Sequence, residues 1–213
     1  MSTQLPVYST REEQANTITH AIGLLCAICA SVWMMLQALS VREVMYVASA
    51  TIYGATLIFM FLSSTLYHAA QQPSRRALFR QLDHLAILYL IAGSYTPYTL
   101  ITLSGAWGWT IFGIVWGLTL VGTVLQFTSA RHIKGLMVGL YLLMGWTVII
   151  AIKPLMANLA TGGLVLLVAG GVAYTLGVVF YVNKRIPYNH AIWHLFVLAG
   201  AMGHYLSVAL YVL

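Results

Sequence analysis

Residues 84–130 read HLAILYLIAGSYTPYTLITLSGAWGWTIFGIVWGLTLVGTVLQFTSA, without one Asp, Glu, Lys or Arg. A helix crosses the hydrocarbon core of a bilayer in roughly 20 apolar residues, so this block holds two crossings rather than one. Ser104-Gly105-Ala106-Trp107-Gly108-Trp109 supplies the turn between them, with tryptophans of the kind that settle at the membrane interface. Five further blocks are equally free of charge: 14–41, 44–72, 135–152, 154–183 and 186–213. Together they predict seven helices, at 17–39, 44–68, 84–103, 107–128, 135–153, 162–182 and 189–212.

Composition agrees. Hydrophobic residues make up 61% of the 213 and charged residues 7%, with a mean hydropathy of +0.87, well outside the range of soluble domains. Backbone groups in lipid must be satisfied within their own segment, and the alternating pattern of a membrane barrel is absent. The expected fold is therefore an all-α integral membrane protein, a bundle of seven transmembrane helices forming a single domain over 1–213.

Positive charge sets the expected orientation. Arg11, Arg75, Arg76, Arg80, Arg131, Lys134, Lys184 and Arg185 fall on one side of such a bundle, and only Arg42 and Lys153 on the other. The positive-inside rule then places the N-terminus in the cytosol and the C-terminus outside, as for a multi-pass protein of a bacterial cytoplasmic (inner) membrane. The net charge of +6 is dispersed among short loops, which speaks against a nucleic-acid partner. Residues 1–16 are polar with mixed charge, so no cleavable signal peptide is expected. Cys26 and Cys29 lie inside the first span without a basic neighbour, and small apolar packing residues are the expected reading over a redox pair.

The polar residues inside the spans carry the functional signal. Ser64 and His68 close the second span, Asp83 opens the third, and His190 and His194 open the seventh, all at the cytosolic side. Residues four apart share a helix face, so His190 and His194 can offer two nitrogens to one ion, with Ser64 one turn below His68. Any one of these histidines alone reads as an interfacial residue. Two imidazoles at that spacing, a third from another helix and a carboxylate at matching depth form the ligand inventory of a catalytic zinc centre with an open water position. His84 points about 100° away from Asp83 on the same helix, so Asp83 is expected inward and His84 in a supporting or interfacial place. Glu13, Asn16 and His20 make a polar stripe where the first helix enters the membrane, readable as a cap or as a network supporting the site.

Pro97, within Gly93-Ser94-Tyr95-Thr96-Pro97-Tyr98, is expected to break a backbone bond mid-span, with neighbouring hydroxyls either capping freed carbonyls or lining a cavity. Gly113-x-x-x-Gly117 and Gly135-x-x-x-Gly139 are expected to let helices pack closely within the bundle. The stretch from Arg75 to Leu82 reads either as a short basic surface helix or as loop charge serving topology.

Taken together, Glu13-x-x-Asn16-x-x-x-His20, Ser64-x-x-x-His68, Asp83, Gly93-Ser94-Tyr95-Thr96-Pro97 and Pro187-Tyr188-Asn189-His190-x-x-x-His194 resemble the bacterial hemolysin III family, within the progestin and adipoQ receptor superfamily. The resemblance covers nearly the whole chain. It implies zinc (Zn2+) on the cytosolic side, bound at positions matching His68, His190 and His194, with the match to Asp83 contacting the zinc water and Ser64 beside it. Adiponectin receptors and alkaline ceramidases belong to the same wider group, which implies a membrane lipid or fatty-acyl substrate. The short N-terminal tail and the end at Leu213 set this chain apart from the receptors, and no hormone-binding exterior is expected.

Three functions follow as expectations. In the first, a zinc-dependent hydrolase of lipid acyl amides, Asp83 accepts a proton from the attacking water and Ser64 supports the oxyanion. In the second, a non-enzymatic or receptor-like regulator of membrane lipid homeostasis and fluidity, zinc holds helices in register and Asp83 matters less. The third is a pore-forming hemolysin, against which the closely spaced helices speak. Sequence leaves protein partners unspecified.

Overall fold

The computed structural model describes residues 8–133 and 135–213, so Lys134 and the first seven residues, which entered the charge and signal-peptide arguments, lie outside the described residues. Among the described residues, seven segments are long and apolar enough to cross a membrane. In chain order they are α1 (Thr10–Val41), α2 (Val44–Ala69), α3 (Pro73–Pro97) continued by a π-helical stretch Tyr98–Leu103, α4 (Gly105–Gln126), a composite fifth crossing, α7 (Thr161–Val182) and α8 (Asn189–Tyr211). The fifth crossing joins α5 (Leu136–Gly145), a 3-10 stretch Thr147–Ala151 and α6 (Ile152–Asn158). No strand occurs among the described residues.

Two helices start earlier than expected. Ser9 and Glu12 form a reciprocal cap, the serine hydroxyl accepting from the Glu12 N–H at 3.3 Å and the Glu12 carboxylate accepting from the Ser9 N–H at 2.9 Å. Helix α1 therefore begins at Thr10 rather than near residue 17, and Glu13, Asn16 and His20 lie inside it. Helix α3 begins with Pro73 in its first turn, where the missing N–H does no harm, and no Gly or Pro interrupts it before Gly93. The stretch 75–82 is thus the first part of the third crossing rather than a separate surface helix, and Asp83 lies well inside α3 instead of opening it. Hydropathy marks where lipid begins; backbone continuity decides where the helix begins.

Without water to expel, helices in lipid associate by close packing. Helix α2 packs between α1 and α3, and α8 packs against α1 and α7. Gly93 of α3 faces Thr56 of α2 so closely that a Cβ would collide with the threonine side chain, and Gly23 of α1 similarly faces the Phe61 ring of α2. Met34, Tyr53, Leu57, Phe61, Leu90 and Val208 fill the centre. Ile18, Ile22, Leu25, Val32 and Leu36 of α1 are each more than half exposed and form a lipid-facing stripe. Cys26 and Cys29 are free thiols on exposed positions of α1, not packing residues.

The paired small-residue motifs do not behave as expected. A Cβ on Gly113, Gly117, Gly135 or Gly139 would meet nothing within 4 Å, so these glycines do not seat another helix of the bundle. The close approaches fall elsewhere, above all between α7 and α8, where Gly170 lies against His204 and Gly200 against Tyr174. Helix α7 takes α8 as its main partner and leaves a gap toward α5, spanned by the Trp146 indole N–H donating to the Thr175 hydroxyl at 3.1 Å.

Candidate metal centre

Four helix ends meet where α1, α3 and α8 begin and α2 ends. There His68, His190 and His194 are all buried, and one ring nitrogen from each lies within 4.8 Å of the others. The Nε2 atoms of His68 and His190 are 3.2 Å apart. Zinc–imidazole bonds of about 2.0–2.1 Å in a tetrahedral arrangement put neighbouring nitrogens roughly 3.3 Å apart. A hydrogen bond between two imidazoles would give the same separation, but it would not account for the third nitrogen.

Proton positions point the same way. Nδ1 of His68 lies 2.8 Å from the Glu13 carboxylate, which also pairs with the Arg76 guanidinium. A carboxylate paired with arginine only accepts, so Nδ1 of His68 carries a proton, and in the neutral ring Nε2 then presents a lone pair. Nδ1 of His194 faces the Asn16 carbonyl at 3.2 Å and the Thr19 hydroxyl at 3.1 Å. A carbonyl also only accepts, so Nε2 of His194 carries a lone pair as well. Two of the three imidazoles are thereby locked in the tautomer that ligates a metal, by the kind of outer partners that orient metal-bound histidines.

The remaining expected residues fall into three positions. Glu13 braces His68, as the stripe reading allowed. Asn16 gives its carbonyl to His194, but both polar atoms of its side chain are buried without a hydrogen-bond partner among the described residues. His20 is fully buried and stacks on His194 with ring centroids 3.5 Å apart and 14° between planes. Asp83 and Ser64 are buried together on α3 and α2, 7% and 1% exposed, with the Ser64 hydroxyl facing the Asp83 carboxylate. Neither belongs to the group whose ligand atoms converge. His84 turns away toward α4 and α5, with its Nδ1 3.4 Å from the Gln126 amide nitrogen and its carbonyl accepting from the Tyr141 hydroxyl at 3.0 Å.

Arg76, Thr19 and Tyr8 join the site without having been singled out in sequence. Tyr8 lies over the cluster, its ring centroid 5.3 Å from His190 and 6.3 Å from His68, and burial raises its phenol pKa so that it stays neutral. Thr19 stands three residues after Asn16 and shares its helix face, which is the one pattern that could have flagged it. In the loop between α7 and α8, Lys184 lies 4.9 Å above the Tyr181 ring. Partial burial and the nearby Arg80 lower its ammonium pKa below that of an ordinary lysine.

Beside the cluster a largely apolar cavity of about 110 Å³ runs between α3, α5, α7 and α8, with Tyr181, Trp193 and Tyr141 among its walls. The Tyr181 ring is 6.1 Å from that of His190, so the cavity begins near the histidines.

Fold and site define a seven-helix membrane protein with a buried three-histidine cluster able to hold a metal. The family model for Haemolysin-III related proteins matches residues 8–205, and the chain belongs to that family. Hemolysin-3 of Bacillus cereus is 42% identical over 203 residues, covering 95% of this chain and 93% of the relative. The Hemolysin-3 homolog of Bacillus subtilis (strain 168) is 41% identical over 205 residues, covering 96% of each. The human Monocyte to macrophage differentiation factor is 32% identical over 203 residues, 92% of this chain and 83% of the relative. The family anticipated from the motifs is thus confirmed.

Proposed function

We propose that His68, His190 and His194 bind zinc at the cytosolic face of a bacterial inner membrane, and that the chain hydrolyses the acyl amide of a membrane lipid. The observation that carries this reading is the fixed tautomer of His68 and His194, set by Glu13 and the Asn16 carbonyl, which aims two lone pairs toward the His190 nitrogen. Three neutral nitrogens leave a tetrahedral ion one open position, as in catalytic rather than structural zinc sites. Bound there, zinc would supply Lewis-acid polarisation of the acyl carbonyl and acidification of water.

The chain's own residues supply the rest. Asp83, buried at the same end of the bundle, accepts a proton from the attacking water. Ser64, whose hydroxyl faces Asp83, donates to the developing oxyanion. The acyl chain lies in the cavity that starts at Tyr181 and enters sideways through the gap between α5 and α7. His190→Ala is expected to lose both zinc, read by elemental analysis, and hydrolysis of long-chain acyl amides in proteoliposomes. Hydrolysis at the wild-type rate by that variant overturns the assignment.

A second reading has its own support. His68 lies on α2, His190 and His194 on α8, and Glu13 on α1 pairs with Arg76 on α3. A metal here would tie four helices together, which is what a regulator of membrane lipid homeostasis would need of a structural ion.

A further inference from the structure

Arg76, Arg80 and Asp83 follow one another on α3 at spacings of four and three, so they share one face of that helix. The outer two show where that face is turned. Arg76 pairs with Glu13 beside His68, and Asp83 faces Ser64. Arg80, partly buried between them, is therefore turned toward the histidine cluster, and its charge acts on the phenol of Tyr8, whose ring lies over His190. A second cation arrives from the loop between α7 and α8. The Lys184 ammonium lies 4.9 Å from the centre of the Tyr181 ring, and that ring is 6.1 Å from His190 and lines the apolar cavity. Arg80 is near enough to disfavour the Lys184 charge.

Two like charges that converge repel unless an anion stands with them. The chain supplies none. It has four acidic residues. Glu12 accepts from the Ser9 and Tyr188 N–H groups, and Glu13 is held by His68 and Arg76. Asp83 faces Ser64, and Glu43 precedes α2 at the end of that helix remote from His68. Neither Arg80 nor Lys184 forms an ion pair among the described residues. Topology alone does not require this arrangement, since Arg11, Arg75 and Arg185 meet the positive-inside rule from exposed positions. A lysine serving only that rule would extend into water rather than lie over a ring at the cavity mouth.

We propose that Arg80 and Lys184 together bind the phosphate of a lipid headgroup, at the mouth of the cavity beside the triad. The guanidinium fork matches two phosphate oxygens, and the ammonium adds a compact charge from the other side. Both groups stand at the positively charged end of the bundle, the level at which a leaflet carries its phosphates. The lipid amide offered to the triad is then one whose headgroup bears a phosphate. That last step rests on the hydrolase reading, whereas the phosphate site itself needs neither metal nor turnover.

The test uses the purified full chain, immobilised in dodecyl maltoside and stripped with chelator, so that no metal at the triad attracts the probe. Binding of radiolabelled hexadecyl phosphate is measured beside that of 1-hexadecanol. Wild type is expected to hold the phosphate ester at least about tenfold more tightly than the alcohol, the worth of a charge-assisted hydrogen bond. Arg80→Gln and Lys184→Gln are each expected to weaken the ester about tenfold without changing the alcohol. Arg185→Gln, which removes the same charge from the neighbouring exposed position, is expected to bind as wild type. Equal binding of ester and alcohol by wild type overturns the proposal. So does an equal loss in Arg185→Gln, which would mean a diffuse positive surface. Displacement of the label by inorganic phosphate as effectively as by unlabelled hexadecyl phosphate would overturn the lipid assignment in favour of free phosphate. If Arg80→Gln does not fold, Lys184→Gln, on a loop, decides the matter with the Arg185→Gln control. Because the binding is read without zinc, its failure and the failure of amide hydrolysis are separate results.

Discussion

The Glu13 carboxylate lies 2.8 Å from Nδ1 of His68, fifty-five positions later in the chain, and the same carboxylate pairs with Arg76. The contact fixes which nitrogen of His68 carries a proton and so which one can face an ion. Replacing Glu13 by Gln keeps the shape but removes the charge that holds the proton on Nδ1. Partners of this kind are worth about 10–100-fold in metal affinity. Glu13→Gln is expected to weaken zinc binding by that factor in a competition titration with a chromophoric chelator. Unchanged affinity would mean that the carboxylate serves only Arg76.

Asp83 separates the two functional readings. Asp83→Asn keeps size and burial and leaves the three imidazoles untouched. The hydrolase reading expects zinc content near wild type and turnover of long-chain acyl amides lowered by about 10²–10⁴-fold, the contribution of a positioned base. The regulatory reading expects zinc content and lipid composition of cells carrying the variant to match wild type. Lipid mass spectrometry beside elemental analysis distinguishes them.

Removing the metal should loosen the end of the bundle where α1, α2, α3 and α8 meet. A ligand present at 100 times its Kd stabilises the folded state by about 2.7 kcal/mol. Chelator-stripped protein is therefore expected to melt at a lower temperature than wild type and to recover when zinc is restored. His68→Ala should melt low and not respond to zinc.

Close packing between α2 and α3 gives a prediction independent of any metal. Gly93→Ala forces a methyl group into the Thr56 side chain, and such overpacking costs about 1–3 kcal/mol. Gly113→Ala, on a helix where the added carbon meets nothing within 4 Å, is expected to leave Tm unchanged or slightly raised. Equal effects of the two substitutions would show that the α2–α3 contact is looser than described.

Much of this architecture could be seen in the residues themselves. The uncharged blocks revealed seven crossings, and the spacing of His190 and His194 with His68 at the same depth anticipated the cluster. Less visible was anything set by tertiary contact. The tautomers of His68 and His194 depend on Glu13 and Asn16 arriving from α1, and no local pattern says which nitrogen a neighbour will engage. The start of α3 at Pro73 was hidden because the arginines lower hydropathy without breaking a helix. The break in the fifth crossing did leave a trace in Pro154, which sits in the first turn of α6 where its missing N–H is tolerated. The expected fifth span stopped at 153, whereas the crossing continues through Asn158. Glycine spacing misled, since a Cβ on Gly113 or Gly117 would meet nothing within 4 Å among the described residues.

The central claim is that the three imidazoles hold one metal ion. X-ray absorption spectroscopy with elemental analysis of the purified wild-type chain, run beside His190→Ala, measures this directly. The account predicts one zinc per chain with three imidazole nitrogens at about 2.0–2.1 Å, and loss of that signal in the variant. Wild-type protein that carries no more zinc than His190→Ala after purification in zinc-supplemented buffer would contradict it.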